Sequence, residues 1–166
     1  MSIPFAAAGA VLAALFETSV LPGVTIAGAK PDLVFVLSIV ATMMIGVEDG
    51  LTWAFIGGLM LDVLLPDRAV GMTSLVLLGL VGVAVVLGHF VPSRRIAVTA
   101  LVVFLLSFAY QALVIVLLAV TSGTSDRIAL GALVPSAVLD GLVALVAGAL
   151  ARTAWLRLGA HDRIEW

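Results

Sequence analysis

The chain has 166 residues, 63% of them hydrophobic and only 11% charged, with a mean hydropathy of +1.31 and a formal net charge of −2. A soluble domain carries roughly 25% charged residues, so that class is excluded, and no stretch is polar enough for a separate soluble module or a disordered linker. The absence of cysteine excludes disulfides, thiolate metal sites and cysteine nucleophiles.

Apolar runs separated by charged or turn-forming clusters predict six helical spans, at about 3–21, 31–47, 50–65, 70–91, 96–120 and 131–152, making residues 1–166 a single all-α transmembrane domain. The first run lacks the basic start of a signal peptide and carries Glu17 near its end, so it reads as a retained helix. Ala6, Ala10 and Ala14 line one stripe of it, a spacing that permits close helix crossing. The second span opens on Pro31-Asp32. Spans two and three lie at or below the roughly 17–25 residues that cross the hydrocarbon. Only Glu48-Asp49 separates them, which predicts a tight helical hairpin with Asp49 as the N-cap of the third helix.

The third span ends GGLMLDVLL, Gly57 through Leu65, with a glycine pair one turn before Asp62. A carboxylate at the centre of a membrane helix costs about 2.5–3.5 kcal/mol. Adjacent glycines weaken a helix but admit a close backbone neighbour. Gly57, Gly58 and Asp62 together therefore predict a packed, polar contact, made with a partner or within the chain. Span four ends near His89. Span five carries Tyr110-Gln111, and span six carries Pro135, Asp140 and Gly141, with small-residue stripes at Ala137/Gly141 and Ala144/Gly148.

With both termini in the cytoplasm, the inner segments hold Arg94, Arg95, Arg152, Arg157 and Arg163, and the outer loops hold Lys30, Arg68 and Arg127. The basic excess inside sets this orientation, and Trp155 fits an interfacial anchor on the same side. Glu17 and Asp62 then lie near the outer ends of their helices, with Asp140 and Gln111 deeper, so the intramembrane polar groups collect in the outer half of the bundle. Groups so placed usually face the bundle interior, a cavity or a partner.

Enzymatic chemistry has no recognisable apparatus in this chain. His89 and His161 share no helical face with another ligand, so no metal site is expected. There is no phosphate loop or nucleophile elbow, and the only lysine, Lys30, is in a loop. No catalytic residue, cofactor or nucleic-acid partner is expected.

Three strings give the chain a family likeness. PDLVFVL (Pro31 to Leu37), the third span's GGLMLDVLL, and the Gly71 that opens GMTSLVLLGLVG resemble the rod shape-determining protein MreD family. The likeness extends over the whole chain in length and span number, with its specific motifs in residues 31–82; it departs most at Asp140-Gly141, where the family often has an uncharged or amide residue. The resemblance implies a six-helix bundle similar in fold to the vitamin-binding S-components of energy-coupling-factor transporters. It implies a non-enzymatic scaffold of the cell-elongation machinery in the bacterial inner membrane. Its partners would be MreC and, through the complex, RodA with its partner transpeptidase and MreB filaments, with the lipid bilayer around them. Gly57, Gly58 and Asp62, with Pro31 and Asp32, would then serve the MreC contact or support it. The alternative is a vitamin-binding S-component whose pocket is lined by Glu17, Asp62, Gln111 and Asp140.

Overall fold

The computed structural model describes residues 3–23, 30–65, 69–90, 96–122 and 130–158. Among them every regular element is helical: α1 (Ile3–Ser19), a 3-10 turn (Leu21–Gly23), α2 (Leu33–Met44), α3 (Val47–Thr52), a π-helical segment (Trp53–Gly57), α4 (Gly58–Leu64), α5 (Met72–Phe90), α6 (Ile96–Ser122) and α7 (Leu130–Leu158). Helical dihedrals run unbroken from α3 through the π segment into α4, so the three form one rod.

Length and polarity place this fold in a membrane. Three helices, Met72–Phe90, Ile96–Leu117 and Leu133–Thr153, are long and apolar enough to cross one. The packing is also inverted relative to a soluble domain. Phe5, Leu12, Leu75, Val86, Leu105 and Val146 stand exposed, while Glu17, Asp62, Asp140, Thr99 and Ser107 are buried. Lipid accepts the first set, and the protein must satisfy the second.

The shortest of the apolar helices is also the centre. Nine of the twelve residues of α2 are buried, from Val34 to Met43, so it is surrounded on all sides. At 1.5 Å per residue it spans only about 18 Å, against about 30 Å of hydrocarbon. Helix α2 packs against α1, α3, the π segment, α5, α6 and α7. The most extensive helix–helix contact is that of α6 with α7.

The turn between α2 and α3 falls three residues earlier than the sequence predicts. The Gly46 N–H donates to Ala41 O at 2.9 Å, closing α2, and the Gly46 carbonyl accepts from Gly50 N–H at 3.1 Å, opening α3. Gly46, not Asp49, is the N-cap, and Asp49 lies inside the first turn, where a negative charge suits the helix dipole. The hairpin is tight because a Cβ on Gly50 would collide with the Thr42 side chain and lie 2.8 Å from Thr42 Cα.

Small residues set the other crossings. Ala6, Ala10 and Ala14 are fully buried, so the α1 stripe faces the bundle, towards the π segment and α4. Beside it, a Cβ on Gly9 would lie 2.7 Å from the ring of Trp53. On α7, Ala137 and Ala144 are fully buried. Gly141 is less constrained: a Cβ there would meet Phe104 Cβ at 3.6 Å, an ordinary contact. Gly141→Ala is therefore expected to be neutral or to stabilise by up to about 1 kcal/mol, the helix-propensity difference. The melting midpoint in detergent measures it, and a fall of several degrees would contradict the packing.

Of the basic residues that set the predicted orientation, Arg68, Arg94, Arg95, Arg127 and Arg163 lie outside the described residues, as does His161, and the side chains of Arg157 and Trp155 do too.

Candidate functional site

A helix that starts inside a membrane protein has a problem at its first turn: its leading N–H groups have no intrahelical acceptor. The N-terminus of α2 is such a start. Its N-cap residue is Asp32, but the Asp32 side chain makes no cap bond to α2. The acceptors come from elsewhere in the chain. Asp140, on α7, accepts the Asp32 N–H on Oδ1 at 2.8 Å, and Glu17, near the end of α1, accepts the Val34 N–H on Oε2 at 2.8 Å. Asp140 is 0% exposed and Glu17 4%. Two carboxylates from the first and last helices thus meet the positive end of the central one, the favourable side of its dipole.

The second oxygen of Asp140 is also engaged. The Ser107 hydroxyl, on α6, donates to Oδ2 at 2.5 Å, and Gln111 Nε2–H donates in turn to Ser107 Oγ at 3.0 Å. One turn of α6 separates Ser107 from Gln111, which is why the amide reaches the hydroxyl. Tyr110, beside Gln111, stacks on Phe35 of α2 with centroids 4.9 Å apart.

Asp62 does the same work at a different helix. Its Oδ2 accepts the Gly71 N–H at 2.9 Å and the Thr73 N–H at 3.0 Å, and Thr73 N–H also lies 3.1 Å from Oδ1. These are the leading amides of α5. Gly71 has φ +91°, a left-handed conformation in which a side chain would be strained, and it turns the chain so that both amides converge on the one carboxylate.

The glycine pair holds Asp62 in place. A Cβ on Gly58 would lie 2.7 Å from Ser74 Cα and 2.8 Å from Ser74 N, so the start of α5 rests directly on the α4 backbone. A Cβ on Gly57 would lie 2.5 Å from Val34 Cγ1 of α2 and 3.7 Å from Ala10 Cβ of α1. The π segment, which ends on Gly57, disturbs the regular hydrogen-bond ladder, and the Ser74 hydroxyl donates to the Phe55 carbonyl at 3.1 Å.

The residues singled out from sequence therefore divide into two groups. Asp32, Glu17, Asp140 and Gln111 gather at the start of α2, with Pro31 just ahead of it. Gly57, Gly58 and Asp62 gather at the start of α5. Both starts lie at one end of the bundle, because α1 runs alongside α3 and α4 in the same direction, Gly9 beside Trp53 and Ala10 beside Gly57. The sequence did not point to Ser107, Thr73 or Ser74, whose types are common in membrane helices, nor to the π segment. Among the described residues no group of three His, Cys, Asp or Glu side chains is placed to hold a metal ion.

This is an all-α membrane protein whose buried acids cap helices across the bundle. Comparison with protein-family models, curated proteins and solved structures finds no match to the chain.

Proposed function

We propose that the chain is a non-enzymatic scaffold of the bacterial cell-elongation machinery, an MreD-type protein of the inner membrane with six spans and both termini cytoplasmic. It binds MreC and, through it, communicates with RodA, its partner transpeptidase and MreB filaments in support of peptidoglycan synthesis and rod shape. One observation carries this reading: the three strings that carry the family likeness close on one another in space. Gly57 of the second packs on Val34 of the first, Gly58 on Ser74 of the third, and Asp62 bonds Gly71 and Thr73 of the third.

The vitamin-binding alternative loses ground on two counts. The acids it would offer to a ligand, Glu17, Asp62 and Asp140, are buried and bonded to the chain's own amides. The Ala stripe of α1, which a coupling subunit would grip, faces inward.

The test is co-purification of the tagged chain with MreC from the same cells, in mild detergent. Bulk at Gly58 is a poor probe of the contact, since it strikes the α5 backbone. Tryptophan at one lipid-facing position per helix serves better: Leu12 on α1, Val83 on α5, Leu105 on α6, Leu142 on α7. At least one of these is expected to release MreC while the melting midpoint holds. No MreC in the wild-type eluate, or a specific vitamin raising the melting midpoint by mass action, would overturn the proposal.

A further inference from the structure

The helices fall into two groups. Among the described residues the α6–α7 pair makes no more than marginal contact with α1, α3, the π segment or α4, and meets the rest of the bundle through α2 and α5. The pair is fastened to the two ends of α2 by different chemistry. At the C-terminal end the fastening is apolar and close: a Cβ on Gly148 of α7 would lie 3.2 Å from Met44 Sδ and 3.2 Å from Ile96 Cγ2. At the N-terminal end it is polar: Asp140 to the Asp32 N–H, locked by Ser107, which Gln111 locks in turn. The flat Phe35–Tyr110 stack lies beside the polar end, and parallel rings can slide past each other.

These fastenings respond differently to disturbance. Apolar contact at a small residue weakens gradually as helices separate. A fully buried carboxylate bonded to an amide holds completely or leaves both groups unsatisfied, so it has two states rather than a continuum. We propose that Asp140 is a latch. It holds the α6–α7 pair shut against the start of α2, and when it lets go the pair swings open at that end about the Gly148–Met44 contact. Opening uncovers the Asp32 amide at the start of α2, while Glu17 of α1 keeps the Val34 amide. Asp140 acts here as a positioning residue, through α2.

Spin labels on exposed positions test this in lipid nanodiscs by double electron–electron resonance. Phe16 with Val138 reports the latch end, and Phe5 with Leu150 the hinge end; all four side chains are exposed. In an otherwise wild-type chain both pairs should give single narrow distributions. Asp140→Ala should lengthen and broaden the Phe16–Val138 distance and leave Phe5–Leu150 unchanged. Asp140→Asn keeps an oxygen for the Asp32 amide and a donor for Ser107 Oγ, and should stay near wild type. An unchanged latch-end distance in Asp140→Ala would overturn the proposal, and so would equal movement at both ends. If Asp140→Ala does not fold, Ser107→Ala, which removes the lock alone, is judged by the same two distances.

Discussion

Asp62→Ala is expected to destabilise the folded chain by about 2–4 kcal/mol, since each buried donor left without an acceptor costs about 1–3 kcal/mol. The substitution strands the Gly71 and Thr73 amides, which both bond the carboxylate. Asp62 is only 3% exposed, so water is poorly placed to take over. Asp62→Asn is the informative comparison. Its amide oxygen, set where Oδ2 now lies, keeps the bonds to both amides. It loses the charge at the helix end, a cost of about 1 kcal/mol or less, and the second contact of Thr73 N–H, since an NH2 that cannot accept now stands where Oδ1 was. Reversible unfolding in mixed micelles should rank wild type above Asn, and Asn well above Ala. Equal stability of the two variants would mean that the α5 amides find another acceptor and that Asp62 is not their cap.

Gly58→Ala carries the second large effect. A single methyl would stand 2.7 Å and 2.8 Å from two backbone atoms of Ser74, and backbone cannot swing aside as a side chain can. Forcing a group into a packed interior costs about 1–3 kcal/mol. Here the displaced element is the start of α5, so the Asp62 cap and the Ser74–Phe55 bond are disturbed with it. Gly58→Leu is expected to prevent folding. At Gly79, also in a membrane helix, an added Cβ would meet nothing within 4 Å, so Gly79→Ala should melt with the wild type or slightly above it. The contrast separates a steric requirement from a general effect of glycine on helix propensity. If both alanines melt alike, the close approach at Gly58 is not real.

The helical segments were legible because apolar runs and charged breaks are local signals. The third run shows the limits of that reading. Gly57, Gly58 and Asp62 stood out as an unusual combination, yet nothing nearby named their counterparts, Val34, Ser74, Gly71 and Thr73. Asp32 shows the same limit more sharply. It sits where an N-cap belongs, but its own side chain does not cap α2, and the acceptor is Asp140, 108 residues away. Pairings made by tertiary approach leave no periodic trace. Gly46 displaced Asp49 as the α3 cap for a related reason: the turn is set by the extended Gly46 backbone and its two hydrogen bonds, which composition does not weigh. The π segment escaped notice because one extra residue in a turn of an apolar run leaves the run apolar.

The distance between Asp32 and Asp140 along the chain also has a consequence in time. Ribosomes add about 5–20 residues per second. The 108 positions from Asp32 to Asp140 therefore take roughly 5–20 s to make. Through that interval α2 exists without the carboxylate of the last helix. Its leading amide must then be kept by water or by the insertion machinery, and the centre of the bundle is completed only once α7 has been made.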